Sequence, residues 1–236
     1  MRRIPRTEIV DRDEWLVDYV RGKNVLHVGC TDHPITASRI AEGRMLHGKL
    51  ESSAKSVVGL DYDREGIESL RALMPDHEFV CHNAEQLADC EELRGRQFDV
   101  VLAADVVEHL SNVGLFLGGV SKLLTPDGVL VITTPNAFSI KRMVAMVLLG
   151  REQVHPDHTA YFSQVTLQRA LDRQDFDPMD WFMFQWCNPT PRNAFANAAV
   201  MPVLRATGGR LCDELVVVAV SRPPVGSDPV PSPGLS

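Results

Sequence analysis

Three residues that could hold a nucleoside follow successive apolar runs of the chain. Gly29 permits a tight turn whose backbone can approach a ligand closely. Asp61 ends the second run, where a carboxylate can accept both hydroxyls of a ribose. Asn83 follows the third run, where its amide could bond the edge of an adenine. Each residue alone is more often a plain turn residue, so the inference depends on finding all three in order.

Three histidines could supply acid–base chemistry. His155 and His158 stand in a loop-like His-Pro-Asp-His segment, and His109 follows the apolar run 98–103. Histidine is the commonest general base because its ordinary pKa is close to neutral pH. We predict His158, and secondarily His155 or His109, as the base that takes a proton from a hydroxyl substrate.

Other interpretations of these segments stay open. The loop could be a solvated segment without a function, or His155, Asp157 and His158 could bind a divalent metal, although no metal site is assigned. Glu108 and His109 could either face the substrate or cap the next helix.

A sheet is needed to bring these residues together. Short β-branched runs alternate with amphipathic stretches, which is typical of a parallel sheet with helices on both faces. The predicted strands are 24–28, 56–60, 78–81, 98–103, 128–133, 180–187 and 214–221. The predicted helices are 9–20, 35–53, 64–73, 84–93, 113–124, 138–149 and 163–174. The pattern predicts a Rossmann-like, doubly wound α/β sheet of seven mostly parallel strands, whose last strand is antiparallel and inserted beside 128–133.

The rest of the chain is predicted to flank this sheet. Residues 1–23 are predicted to form an N-terminal helical segment, and 24–221 the main domain. Within that domain, the proline-containing and alanine-rich stretch 188–212 is predicted to be a lid or a wall of the substrate pocket. Residues 222–236 contain five prolines and are predicted to be a disordered tail.

Six segments, taken in order, resemble a known family. They read VLHVGC, VVGLDYD, HNAEQL, FDVVLAADVVEHL, LLTPDGVLVITTPN and HPDHTAYFSQVTLQRALDRQDF. Over residues 24–187 this succession is similar to the motifs of class I S-adenosylmethionine-dependent methyltransferases, particularly the small-molecule group. The resemblance implies S-adenosylmethionine as the cofactor and a small molecule as the methyl acceptor.

The resemblance also implies which residues contact the cofactor. Gly29 and Cys30 would line its methionine end, Asp61 would hold the ribose hydroxyls, and Tyr62 would lie beside the adenine. Asn83 and Ala84 would contact the adenine edge, and the carbonyl of Ala104 would accept from the cofactor's amino group.

Two features depart from the family's pattern. His27 stands where the family usually has an acidic residue, and the turn has Gly29, Thr31 and His33 in place of G-x-G-x-G. The stretch between Cys30 and Asp61 is also longer than usual, which predicts extra structure around 32–50. The amino end of the cofactor is therefore expected to be held differently in this chain.

Composition limits the partners and the location. The 236 residues carry 24 Lys and Arg against 31 Asp and Glu, a net charge of −7. This is the wrong sign for phosphate contacts, so no nucleic-acid partner is expected. The longest apolar run, 143–149, is far shorter than the ~20 residues that span a bilayer, so no membrane partner is expected and a cytoplasmic location is predicted. The five cysteines contain no C-x-x-C pair and are predicted to be reduced thiols.

The sequence therefore predicts an enzyme, a methyltransferase whose expected nucleophile is a hydroxyl oxygen because histidines are at hand. A nicotinamide-dependent oxidoreductase is one alternative, opposed by the lack of G-x-G-x-x-G after the first strand and of a Tyr-x-x-x-Lys pair. A non-catalytic cofactor-binding module is the other, which the altered turn after the first strand leaves open.

Overall fold

The computed structural model describes residues 4, 6–152, 154–186 and 191–222, with 191–197 described by their backbone alone. The strands are β1 (Glu8–Val10), β2 (Asn24–Val28), β3 (Ser56–Asp61), β4 (Glu78–Cys81), β5 (Phe98–Ala104), β6 (Leu124–Pro135), β7 (Phe176–Phe184) and β8 (Glu214–Ser221). The α-helices are α1 (Arg12–Tyr19), α2 (Thr36–Ala41), α3 (Leu46–Glu51), α4 (Arg64–Leu73), α5 (Val113–Leu123), α6 (Ile140–Leu149), α7 (Gln164–Asp172) and α8 (Pro191–Ala206). Two short 3₁₀ helices, Ala84–Asp89 and Glu91–Leu93, precede β5.

All described strands form one sheet in the order β1-β7-β8-β6-β5-β2-β3-β4. Strand β8 is antiparallel to both of its neighbours, β6 and β7, and the other neighbouring pairs are parallel. The predicted Rossmann-like, mostly parallel sheet is confirmed. So is the insertion of the antiparallel last strand beside β6, the fifth strand of the prediction.

The predicted number of strands is one too low. Strand β1 lies at the sheet edge and pairs in parallel with β7, with Ile9 opposite Met183. Ile9 therefore belongs to a strand, and α1 begins only after Asp11, whose side chain caps it by accepting from the N–H of Glu14 at 3.1 Å. Three residues are too few to show a strand period, and the pairing depends on the free edge of β7.

Two predicted helices are divided in the structure. The span 35–53 is two helices, α2 and α3, separated by a turn in which Gly43 has φ +63°, a left-handed conformation that ends a helix. The span 84–93 is the pair of 3₁₀ helices, with Asn83 as the capping residue of the first. The extra structure expected around 32–50 is thus two short helices rather than one long helix.

Two predicted strands have different limits. Strand β7 ends at Phe184, so the predicted strand 180–187 begins and ends too late, and Cys187 lies outside the described residues. Strand β6 already begins at Leu124, which pairs with Phe98, before the register jumps to Val129 opposite Val100. Residues 125–128 accommodate this jump as an irregularity inside the strand.

Helices pack on both faces of the sheet because successive strand residues point to opposite sides. In β5, Val101 belongs to the core cluster that contains Phe116 of α5. Its neighbour Val100 belongs to the opposite cluster, which contains Leu16 of α1 and Leu50 of α3. This two-sided core is the doubly wound arrangement predicted from the sequence.

The segments outside the regular alternation are partly described. Helix α8 occupies most of 188–212, and the role of that stretch as a lid stays a prediction. The predicted tail lies outside the described residues from 223 onward. Cys30, Cys81, Cys90 and Cys212 are free thiols. No helix within the described part of the chain combines the length and the apolar character needed to cross a membrane.

A buried histidine pair joins β2 to α3. The Nδ1 atoms of His27 and His47 lie 3.1 Å apart, and their rings stack with an interplanar angle of 14°. His27 Nε2 is buried and has no hydrogen-bond partner among the described residues, and His47 Nε2 lies 3.4 Å from a carboxylate oxygen of Glu51. Burial, followed by the nearby His47 and Arg12, holds the pKa of His27 well below its ordinary value.

We expect the folded state to lose stability in mild acid because of His27. Since its pKa is lower in the folded than in the unfolded chain, the unfolded chain binds the proton first as the pH falls below ~6.5. The free energy of unfolding should then fall by up to about 1.4 kcal/mol per pH unit for this group. Urea titrations at pH 7.5 and 5.5 should show a smaller difference for His27→Gln than for the native chain. The control is His82→Gln, a change at a histidine whose Nε2 lies 2.9 Å from the carbonyl of Gln86; an unchanged pH difference in His27→Gln would contradict the prediction.

Candidate active site

A cavity of about 850 Å³ opens at the carboxyl ends of β2, β3, β4 and β5, where open α/β sheets bind their ligands. Every residue predicted to contact the cofactor lines it: Gly29, Cys30, Asp61, Tyr62, Asn83, Ala84 and Ala104. The sheet therefore brings together the residues that the sequence placed after separate strands.

The turn after β2 requires glycine. Gly29 has φ +76°, and a Cβ built there would stand 2.5 Å from Cγ2 of Val106, which is an impossible contact. Its N–H donates to the carbonyl of Leu60 at 2.8 Å, which ties the turn to β3. The missing side chain lets Val106 pack against the turn, whose backbone lies on the cavity wall.

Asp61 is a buried carboxylate at the end of β3, with 7% of its surface exposed. Its Oδ2 accepts from the N–H of Thr31 at 3.1 Å and from the Thr31 hydroxyl at 2.9 Å. Its Oδ1 accepts from the N–H of Asp63 at 3.0 Å. Because a carboxylate offers about four acceptor positions, a ribose that bonds through both hydroxyls competes with the Thr31 hydroxyl.

Three other residues that line the cavity differ in exposure, hydrogen bonding and charge. Tyr62 is 76% exposed and stands at the rim. The Oδ1 of Asn83 accepts from the N–H of Glu85 at 2.9 Å, which commits its carbonyl to capping and leaves its amide N–H groups for a ligand. Burial, and then the charge of Asp61, raise the pKa of Cys30 well above its ordinary value. The thiol therefore stays protonated and uncharged where it lines the cavity.

The three predicted histidines meet beside this cavity. The ring centroid of His158 lies 4.6 Å from that of His109 and 5.3 Å from that of His155. His109 and Asp157 line the cavity, and His155 and His158 adjoin them. Burial, and then the charges of His109 and His155, lower the pKa of His158 below its ordinary value.

The backbone of Glu108 fastens the histidine loop to the end of β5. Its carbonyl accepts from the N–H of Thr159 at 2.8 Å and from the N–H of Ala160 at 3.2 Å. Asn112 caps α5, so the idea that Glu108 or His109 caps this helix is wrong. His109 is instead on the cavity wall, the other of the two positions considered for it.

The Glu108 side chain is fully buried. Its Oε2 accepts from the Thr134 hydroxyl at 2.9 Å, and its Oε1 is buried with no hydrogen-bond partner in the described part of the chain. Burial, and then the charge of Asp105, raise the pKa of Glu108 to about 8.

Sequence reasoning missed Arg12, a buried cation on the cavity wall. Its guanidinium donates to Asp105 at 2.5 Å and to Asp13 at 3.2 Å, and lies 3.7 Å from Glu214. Burial lowers its pKa, but these three carboxylates raise it by more, so Arg12 stays charged. The sequence does hold one indication that Arg12 is buried. It lies four residues before Leu16, so a helix places both residues on the same face, which is the buried face of α1.

The fold and this cavity are those of a Rossmann-like protein that binds its ligand at the carboxyl ends of parallel strands. The chain belongs to the methyltransferase domain family, whose model matches residues 14–180. This membership confirms the predicted class, a methyltransferase. It does not favour the oxidoreductase or the non-catalytic module.

Individual proteins are similar over part or most of the chain. A ubiquinone biosynthesis O-methyltransferase of Azorhizobium caulinodans is 29% identical over 136 residues, which are 57% of this chain and 48% of that protein. A probable S-adenosylmethionine-dependent methyltransferase of Mycolicibacterium smegmatis is 28% identical over 160 residues, 67% of this chain and 54% of that protein. The chain spans about half the length of the curated relatives it matches.

The fold is also that of solved methyltransferase structures. A SAM-dependent methyltransferase from Archaeoglobus fulgidus superposes with a TM-score of 0.56 at 18% identity, covering 88% of this chain and 90% of that one. This likeness supports the architecture alone.

Proposed function

We propose that this protein transfers the methyl group of S-adenosylmethionine to a hydroxyl of a small-molecule acceptor. One observation carries the proposal: His109 lines the same cavity as Asp61, so a group able to handle a hydroxyl proton and a carboxylate suited to a ribose share one space. The cavity, at about 850 Å³, is within the range of small-molecule sites.

The residues present fit the nucleoside half of the cofactor. The turn at Gly29 places backbone on the cavity wall, and the buried carboxylate of Asp61 offers two acceptor oxygens in the same cavity. We assign Asp61 to the ribose hydroxyls, Asn83 and Ala84 to the adenine edge, and Gly29, Cys30 and Ala104 to the methionine end. Tyr62, at the rim, is assigned a place beside the adenine. When bound, the cofactor supplies a methyl group on a positively charged sulfur.

On the acceptor side, the histidines take up the proton that the hydroxyl must lose. We assign this task to His158 first, because its ring lies 4.6 Å from that of His109 on the cavity wall and its lowered pKa favours the neutral form that can accept a proton. His155 and His109 surround it and position the loop. Much of the remaining rate enhancement in such a displacement comes from alignment of the hydroxyl and exclusion of water, which a half-enclosed cavity provides.

The relatives support a hydroxyl rather than an amine as the acceptor. Several of them are named ubiquinone biosynthesis O-methyltransferases, including one from Arabidopsis thaliana that is 30% identical over 118 residues. Phenolic hydroxyls on a quinone precursor are therefore the first acceptors to test.

The test is methyl transfer from S-adenosylmethionine labelled in its methyl group. Purified protein is incubated with separate panels of phenolic, sugar and amino-acid-derived acceptors, and the labelled products are identified by mass spectrometry. We expect label in a methyl ether of one hydroxyl acceptor together with release of S-adenosylhomocysteine. Label found on nitrogen or carbon, with none on oxygen, would overturn the proposal.

A further inference from the structure

His109, His155 and His158 form a compact group of metal-ligand side chains. Each offers one ligand nitrogen, and these three atoms all lie within 4.8 Å of one another. His155 is exposed, and the other two are half-buried. Around a tetrahedral cation with metal–nitrogen distances of 2.0–2.1 Å, ligand nitrogens are about 3.3 Å apart, so small rotations of the three rings bring them to ligating positions.

Two further observations at the group indicate a ligand. His158 Nδ1 is buried and has no hydrogen-bond partner in the described part of the chain, which is costly for a polar atom unless something binds there. The Asp157 carboxylate lies 3.7 Å from His155 Nδ1, so an N–H on that nitrogen can point to the carboxylate and leave Nε2 as the ligand atom. A carboxylate beside the second ring nitrogen orients metal-binding histidines in other proteins.

The segment after β5 connects the two halves of the group. His109 lies five residues after the last residue of β5, and its N–H donates to the carbonyl of Val106 at 2.9 Å. His155 and His158 belong to a loop that is fastened to the Glu108 carbonyl through Thr159. Both halves are thus tied to one point of the backbone, since Glu108 directly precedes His109.

We propose that His109, His155 and His158 bind a divalent first-row transition metal such as Zn²⁺, with a coordination position left open towards the cavity. Neutral imidazoles suit Zn²⁺, Co²⁺ and Ni²⁺, whereas Mg²⁺ and Ca²⁺ prefer oxygen ligands. Three protein ligands are the number found in catalytic zinc sites, which keep the fourth position for water or substrate. His109 and Asp157 line the cavity, so a small molecule in it can reach that position.

The effect of the metal on methyl transfer rests on the proposed function, whereas metal binding itself does not. In the metal-free protein His158 takes the acceptor's proton itself. With a cation bound, the imidazoles are occupied as ligands, and the cation lowers the pKa of a coordinated hydroxyl so that water can take the proton. Acceptors with two adjacent oxygens gain a second point of attachment.

Direct binding measurements test the site without using activity. Protein without an affinity tag is stripped with a chelator and titrated with Zn²⁺ by calorimetry, and with Co²⁺ by its visible absorption. We expect one equivalent to bind, with a Co²⁺ spectrum typical of a four-coordinate site that has three nitrogen ligands. Because loss of a contact that supports a metal site already costs about 10- to 100-fold in affinity, His155→Ala and His109→Ala should each weaken binding at least tenfold.

His77→Ala is the matched control, since His77 is a partly exposed histidine that does not line the cavity. His155→Ala removes an exposed side chain, so its fold should be unaffected, and circular dichroism checks this. Absence of saturable binding, or equal affinity in the His109, His155 and His77 variants, would overturn the metal site. Methyl transfer by the stripped protein is measured separately, so the proposed function can stand when the metal site fails.

Discussion

The His158→Ala variant is expected to turn over about 10²- to 10⁴-fold more slowly than the native protein, the loss typical of a missing general base. The His158 ring lies in the middle of the histidine group, 4.6 Å from His109 and 5.3 Å from His155. An alanine there removes the proposed proton acceptor of the metal-free protein and one of the three proposed ligands of the metal-bound protein. Both states should therefore lose activity.

The affinity of His158→Ala for S-adenosylmethionine should be almost unchanged. The residues assigned to the nucleoside, Asp61 and Asn83, belong to β3 and to the segment after β4, and the His158 loop makes none of their hydrogen bonds. Steady-state kinetics give the turnover number, and calorimetry with the cofactor gives the affinity. A drop in turnover without a drop in affinity places the effect on the acceptor side.

His77→Ala is the control for this prediction too, and it should keep native turnover. The decisive comparison is the double variant His155→Ala, His158→Ala. If it retains full turnover, the loop has no part in the chemistry, and the acceptor is activated by His109 or by alignment alone.

The second large effect is expected at Asp61, where alanine should weaken S-adenosylmethionine binding at least about tenfold. A hydrogen bond to a charged group contributes about 1.5–3 kcal/mol, and each 1.4 kcal/mol is a factor of ten in affinity. The carboxylate is nearly buried, so a lost bond to a ribose hydroxyl is poorly replaced by water. Calorimetry with the cofactor measures the change.

Asp61 also has a structural role, which the experiment must separate. Its carboxylate accepts from Thr31 and from the N–H of Asp63, so alanine loosens the turn after β2 as well. Asp61→Asn keeps one acceptor oxygen and a similar shape, and should lose less affinity than Asp61→Ala. Asp99→Ala is the matched control, because Asp99 is a carboxylate of β5 that bonds Asn24 at 2.8 Å and lies outside the cavity.

The control variant should bind the cofactor as the native protein does, even when its thermal midpoint falls. An Asp61→Ala affinity close to the native value, measured on folded protein, would place the ribose elsewhere in the cavity.

Strands and their ends were the most predictable part of the fold. Runs such as 24–28 and 98–103 are apolar on both faces, because central parallel strands are covered by helices on both sides. Residues at their carboxyl ends must then share one edge of the sheet. For this reason the order of residues alone is enough to predict that Gly29, Asp61 and Asn83 line one cavity, as they do.

Short and irregular elements could not be predicted in the same way. Strand β1 has three residues and exists because β7 offers it an edge. The break between α2 and α3 depends on a left-handed turn at Gly43, which a helical pattern of apolar residues does not reveal. These features are decided by pairing partners and by backbone conformation rather than by the pattern of residue types.

The composition and order of residues in this chain were enough to indicate an α/β sheet, a nucleoside-binding edge and histidines suited to a hydroxyl acceptor. They could not show that His109 joins His155 and His158, because that meeting depends on hydrogen bonds from Thr159 and Ala160 to one backbone carbonyl. They also could not show that Arg12 lies against Asp105 and Glu214, since the three residues are distant in the chain and meet only when α1 packs over the ends of β5 and β8. Backbone carbonyls are the same in every residue and long-range charge pairing has no local pattern, so both arrangements become visible only in the folded molecule.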